Sequence, residues 1–134
     1  MISHVFIGVS DFERAFGSYS RVLAELGLVL KFCEPEKPWA GWMSPLAARP
    51  LLLIGAPYDG EAASPGNGQM VALLAPTREA VDRAHAAALA NGASCEGAPG
   101  LRVHYHPDYY GAYFRDADRN KIGVCCHDKV DVKI

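Results

Sequence analysis

The chain has no clustered run of lysine or arginine, no long apolar stretch and no closely paired cysteines, and each shortage removes a class of protein. Its 13 basic and 15 acidic side chains leave a formal charge of −2. Nucleic-acid binders normally gather cations on one face, so nucleic acid is not an expected partner. No apolar run approaches the ~20 residues that span a bilayer. The N-terminus also lacks a basic segment followed by a long apolar one. No membrane association is therefore expected, and the expected location is cytoplasmic.

Four cysteines, Cys33, Cys95, Cys125 and Cys126, are scattered without a CxxC pair. Adjacent strand residues such as Cys125 and Cys126 point to opposite faces, so reduced, mostly buried thiols are the expectation rather than disulfides or a metal cluster. What is abundant is globular material. Half of the 134 residues are hydrophobic and 21% are charged. That length suits one domain, able to bury roughly two thirds of the surface its unfolded chain exposes.

The most informative stretch runs from Tyr109 to His127. Tyr, Phe, Ile and Val favour a pleated, half-buried surface, and Asp116-Ala117-Asp118-Arg119-Asn120 supplies short polar side chains that bond their own backbone in turns. The segment predicts a β-hairpin. In its second strand Ile122, Val124 and Cys126 share one face, while Lys121, Gly123, Cys125 and His127 share the other. A face carrying a charge, a gap and two ligand-type side chains suits a cavity wall better than a core.

Taken in order, the pattern is βαβββ twice. Residues 2–9 read as a strand with Val5, Ile7 and Val9 on one face and His4, Phe6 and Gly8 on the other. Ser10-Asp11-Phe12-Glu13 matches a capping box with Ser10 as the cap, and Phe12, Phe16, Tyr19, Leu23 and Leu26 form a helical stripe ending at Gly27. Three strands are expected at 28–32, 39–43 and 50–54. Residues 56–67, rich in Gly and Pro, read as a loop that covers a site or joins two halves. A strand at 70–75 and a helix from Thr77 follow, with Val81, Ala84, Ala88 and Leu89 as its buried stripe before Asn91-Gly92. A weak strand near Cys95 and the hairpin complete the second unit. Setting Met70 on His4 aligns Val71, Leu73 and Ala75 with Val5, Ile7 and Val9, and places Gly123 near Leu53. The domain is expected to be single over 1–134, with half-modules at about 1–58 and 67–128.

Ile2-Ser3-His4-Val5, Val9-Ser10-Asp11, Gly66-Asn67-Gly68 and the run Arg115 to Ile122 together resemble the vicinal oxygen chelate superfamily, which includes glyoxalase I, bleomycin-resistance proteins and extradiol dioxygenases. The resemblance covers nearly the whole chain. It implies an α+β fold of two paired βαβββ modules that form a curled, cup-shaped mixed sheet with helices outside. It also implies a divalent ion held by His or Glu at four strand positions. Here those positions carry His4, Leu53 or a neighbour, Met70 and Gly123. Only His4 is a donor suited to a first-row divalent ion, so a bound metal is disfavoured.

The expected function is binding of a small organic ligand in the cup, contacted by His4, Phe6, Trp42, Met70, Tyr113, Lys121 and Gly123, with Trp39 a further aromatic wall. The alternative is a lyase, isomerase or dioxygenase-type enzyme. It would use an atypical metal site of His4 with His127 or loop histidines, or metal-free proton transfer from His4. His104 and His106, two apart and close to Asp108, suit metal binding or proton shuttling, although histidines at loop ends are more often solvated. Exposed sheet edges point to a homodimer.

Overall fold

The computed structural model describes residues 1–129; the single-domain expectation extends over 130–134, which lie outside the described residues. The first half comprises β1 (His4–Gly8), α1 (Phe12–Glu25), β2 (Val29–Glu34), β3 (Trp39–Ser44) and β4 (Ala47–Gly55). The second comprises β5 (Val71–Leu74), α2 (Arg78–Ala90), β6 (Ser94–Leu101), β7 (Tyr110–Arg115) and β8 (Lys121–Cys126). Each half builds a four-stranded mixed sheet of the same topology, β1-β4-β3-β2 and β5-β8-β7-β6. Phe6 pairs with Leu53 in one and Ala72 with Gly123 in the other. The internal repeat therefore holds at the level of individual residue pairs, and the fold is α+β with two βαβββ modules.

Alternation sorts the strands into two faces. Ile7, Val9, Leu52, Ile54, Ala112, Phe114, Ile122, Val124 and Cys126 pack with Leu23 of α1 and with Val81 and Ala84 of α2 into one core. His4, Phe6, Leu53, Tyr113, Gly123 and Cys125 occupy the opposite, concave face. Two details of the helices differ from the sequence reading. Asp11, not Ser10, caps α1, accepting the Arg14 N–H at 3.2 Å. The Ser10 hydroxyl is instead engaged by the Ala63 N–H at 2.9 Å, and its own N–H donates to Asp118. A carboxylate one position later is an equally good cap, which frees Ser10 to tie the 56–67 loop to the helix start. In α2 the buried stripe is Ala80, Val81, Ala84, His85 and Ala88, while Leu89 is 39% exposed.

The modules meet within one chain. The helices α1 and α2 touch, the Tyr19 hydroxyl donates to Asp116 Oδ2 at 2.7 Å, and Asn120 Nδ2 donates to the Gly8 carbonyl at 3.0 Å. The turn between β7 and β8, which repeats the polar residues of the sequence motif, is thus the clasp that holds the first module. Arg119 closes it in the left-handed region at φ 69°. For a non-glycine residue that costs about 1–2 kcal/mol, and the Asp116 hydrogen bonds around it offset the cost.

Among the described residues His85 is the one buried polar or charged side chain in the core, 5% exposed, with no partner for Nε2. Burial lowers its pKa below the ordinary 6.5, opposed in part by a hydrogen bond with the Tyr113 backbone and by Asp82. The unfolded chain therefore binds more protons than the native one once the pH drops below about 6.5, and native stability falls as the pH moves through and below that value. His85→Leu is expected to flatten this acid limb. Urea midpoints at pH 7.5 and 5.5 check it: the wild type should lose more stability between the two than the variant.

Candidate functional site

The concave face of the first module is apolar. Phe32 and Trp39 meet edge to face at 5.3 Å, and Leu53 lies between β1 and β3 with only 7% of its surface exposed. Gly41 leaves no room for a side chain because both neighbours close over it: an added Cβ would come 2.5 Å from Leu53 Cδ2 and 2.6 Å from Phe32 Cε1. Trp39 is oriented by donating its indole N–H to Glu34 at 2.7 Å, with the Lys37 ammonium 5.1 Å above the ring. Beside Trp39 lies an open cavity of about 690 Å³ walled by His4, Phe6, Trp39 and the loop carrying Tyr58 and Ser64. The Gly/Pro-rich stretch thus serves as a wall of the cavity as well as the link between halves. A second cleft of about 240 Å³ continues past Phe6 to Met70 and Lys121. Phe6, 45% exposed, is the shared wall.

The corresponding face of the second module is polar and aromatic. Tyr113 lies across the sheet so that its ring is 3.2 Å from where a Gly123 Cβ would stand, with Met70 Sδ at 3.3 Å from the same point. Its hydroxyl bonds that of Tyr109 at 2.9 Å, and the Lys121 and Arg102 cations sit 5.7 and 5.6 Å from its ring centre. Deeper along the strand, His127 bonds His106 at 2.7 Å and meets Cys125 Sγ at 3.5 Å. Burial raises the Cys125 thiol above its ordinary pKa, opposed in part by its bond with Tyr109. Burial, followed by the bonds to Tyr113 and Cys125, holds the Tyr109 phenol protonated far above its usual range. The Cys125 thiol and the Tyr109 phenol are thus held protonated, as donors rather than as nucleophiles.

Of the residues expected at the site, His4 and Phe6 line the first cavity, Phe6, Met70 and Lys121 line the second cleft, and Tyr113 lies against Gly123. Trp42 is a correction: it is 3% exposed, lies on the helix side and stacks on Phe16 at 5.7 Å. Strand alternation puts it in register with Ala40 in the core, and Trp39 takes its place in the cup. Reading β3 with the parity of Gly41 would have separated the two tryptophans. Tyr109 and Arg102, which contact Tyr113, and Phe32, which packs on Trp39, were not singled out by the sequence reading as site residues. Tyr109 and Arg102 come from the segment around a weakly patterned strand, where periodicity gives little signal.

At the four positions where the resemblance implies a divalent ion, the side chains are an imidazole, an isobutyl group, a thioether and a hydrogen. One hard donor does not make a site that needs three. Among the described residues no group of three or more His, Cys, Asp or Glu is arranged to hold a metal ion. His4 bonds Ser3 and lines the first cavity, whereas His127 is bonded to His106 and Cys125 in the second module. The replacement set of His4 with His127 is not assembled. His104 packs on Tyr105 rather than joining His106.

Comparisons with known proteins agree with this architecture. The family model described as the Glyoxalase/Bleomycin resistance protein/Dioxygenase superfamily matches residues 1–124. A glyoxalase/bleomycin resistance protein from Albidiferax ferrireducens is 35% identical, with a TM-score of 0.81 over 96% of this chain and 99% of that one. A family enzyme from Burkholderia phytofirmans is 22% identical, with a TM-score of 0.68 over 94% and 98%. TnmS3, an antibiotic binding protein from a Streptomyces species, is 20% identical, with a TM-score of 0.63 over 96% of each chain. None of the curated proteins compared matches the chain.

Proposed function

Because the chain belongs to the glyoxalase/bleomycin resistance protein/dioxygenase superfamily, we propose that it uses the family cup to bind a small organic molecule without the family's divalent ion. The observation that carries this reading is the composition of the concave face. Phe6, Phe32, Trp39, Leu53 and Met70 present apolar surface where the metal-dependent chemistry would need donors, and the adjoining cavity of about 690 Å³ is the size of an ordinary ligand site. The antibiotic binding relative supports the same class of function on the same fold.

Phe6 separates the two clefts and offers one of the most accessible aromatic surfaces in them. Phe6→Ala is expected to weaken an aromatic ligand by roughly tenfold, the value of one well-buried ring contact. Its stability should change little, because the ring is half exposed. Quenching of tryptophan emission by an aromatic ligand library, with thermal shift as a second readout, measures this. A library that neither quenches emission nor raises the melting temperature would sink the proposal. The protein is further proposed to act in the cytoplasm as a homodimer, supported by the exposed edge strand β2, whose Val29 and Leu30 are 44% and 49% exposed.

One observation favours a second reading. His4 Nδ1 is engaged by Ser3, which leaves Nε2 for the cavity it lines. A positioned neutral imidazole is a general base worth typically 10²–10⁴-fold in rate. Metal-free isomerase chemistry at His4 would show as substrate turnover in the wild type that His4→Ala abolishes while ligand affinity survives.

A further inference from the structure

The two spaces beside Phe6 adjoin and differ in character. Phe6, Gly8 and Ser64 wall both of them, so the cavity of about 690 Å³ opens into the cleft of about 240 Å³ between the end of β1 and the loop that follows β4. The larger space carries the aromatic rings of Phe6 and Trp39. The smaller is lined by Ser64, Gln69, Asn120 and Lys121 beside Met70. A molecule that fills both therefore meets rings at one end and hydrogen-bonding side chains at the other.

Gln69 is set in the cleft by its own turn. Its backbone N–H donates to the Gly66 carbonyl at 3.3 Å, and its side chain folds back over Gly66, where an added Cβ would stand 2.5 Å from Gln69 Cδ. Glycine at position 66 is what allows the amide to lie there. Gln69 and Ser64 are both exposed, so a molecule in the cleft meets an amide and a hydroxyl, each able to donate and to accept. Asn120 spends Nδ2 on the Gly8 carbonyl and on Asp116 Oδ2, at 3.0 and 2.9 Å, which leaves its carbonyl oxygen as an acceptor. The Lys121 cation is shared. It lies 5.7 Å from the Tyr113 ring centre, and the Glu96 carboxyl, held below its ordinary range first by its bond with Arg115, is held there also by Lys121. An anion would find its one cation shared and an acceptor oxygen on the neighbouring residue. A neutral amide finds an acceptor for its N–H and a donor for its carbonyl.

We propose that Gln69, positioned by Gly66, recognises a neutral amide on the ligand, so that the site takes an aromatic carboxamide whose ring occupies the larger cavity and whose amide enters the cleft. This rests on the reading of the cup as an organic-ligand site and names its ligand class. Gln69 touches the ligand. Gly66 is a positioning residue: it acts only by leaving the space over which the Gln69 side chain folds.

The test compares three probes on the full chain by quenching of tryptophan emission: 2-naphthamide, its hydrocarbon isostere 2-isopropylnaphthalene, and 2-naphthoate. Two neutral hydrogen bonds predict that the amide binds about tenfold more tightly than the hydrocarbon, with naphthoate binding less tightly than the amide. Gln69→Leu should remove most of the preference for the amide without weakening the hydrocarbon. Gly66→Ala should do the same at an unchanged melting temperature, because the added methyl displaces only the far end of an exposed, flexible side chain. A merely structural role for Gly66 would move the melting temperature and leave the ratio of the two affinities alone. Equal binding of amide and hydrocarbon by the wild type, a preference that survives Gln69→Leu, or tighter binding of naphthoate than of the amide overturns the amide subsite and leaves the apolar cavity intact. A Gly66→Ala variant that keeps the preference overturns the positioning role. Failure of all three probes to bind overturns the subsite together with the ligand-binding reading beneath it.

Discussion

Asp116→Ala is expected to lower the stability of the protein by about 3 kcal/mol, a fall of roughly 10 °C in melting temperature for a domain of this size. The carboxylate accepts four bonds: Oδ1 from the Asp118 and Asn120 amides, each at 2.9 Å, and Oδ2 from the Tyr19 hydroxyl at 2.7 Å and Asn120 Nδ2 at 2.9 Å. Removing it leaves the Tyr19 hydroxyl, on a side chain 3% exposed, without an acceptor, and releases the turn whose Asn120 holds the Gly8 carbonyl. One substitution thus loosens both the hairpin and the junction of the modules. Tyr19→Phe, which removes a single bond and strands no donor, should cost about 1 kcal/mol.

The same pair of variants separates an effect of pH. Burial first, then the charge of Asp116, raises the Tyr19 phenol well above its usual 10. The native state therefore holds a proton that the unfolded chain has released above about pH 10. The resulting contribution is fully present below that value and is lost as the pH rises through the folded pKa. Tyr19→Phe should lose the extra alkaline instability that the wild type shows above pH 10. Thermal unfolding between pH 7 and 11 reports both effects, and an Asp116→Ala loss under 1 kcal/mol would mean that the clasp does not hold the modules together.

The second large effect is expected at Gly41. Valine there would place its Cβ 2.5 Å from Leu53 and 2.6 Å from Phe32, distances that real side chains do not tolerate. The two neighbours can escape only into the open cup. Overpacking of this kind costs about 1–3 kcal/mol, and the larger consequence is for binding, because displaced Phe32 and Leu53 side chains fill the floor. Affinity for an aromatic ligand should fall by about tenfold or more in a protein that still folds. Calorimetric titration beside denaturant unfolding distinguishes this from simple unfolding.

Much of this was legible in the sequence because it depends on local alternation and turn chemistry. Strand parity alone assigned Ile122, Val124 and Cys126 to the core and Lys121, Gly123, Cys125 and His127 to the cup. The match of Met70 to His4 and of Gly123 to Leu53 agrees with the equivalent pairs Phe6–Leu53 and Ala72–Gly123 in the two sheets. Where reading failed, a competing interaction decided the outcome. Trp42 is as aromatic as Trp39, but it shares its strand face with the buried Ala40 and stacks on Phe16. Ser10 fits a capping box, yet its hydroxyl is claimed by Ala63, a residue 53 positions away. The bonds of His106 with His127 and of Tyr109 with Tyr113 were invisible because they join a turn and strand residues through side chains that no period relates.

The account is tested most directly by titrating the wild-type protein with 2-naphthoate, following tryptophan emission, once in excess EDTA and once with added zinc or manganese. A saturable, one-site quench of the same affinity under both conditions is the expected result, because Leu53, Met70 and Gly123 supply no donor to an ion. A quench that appears only with the divalent ion, and disappears on chelation, would contradict the account and place a metal at the centre of the cup after all.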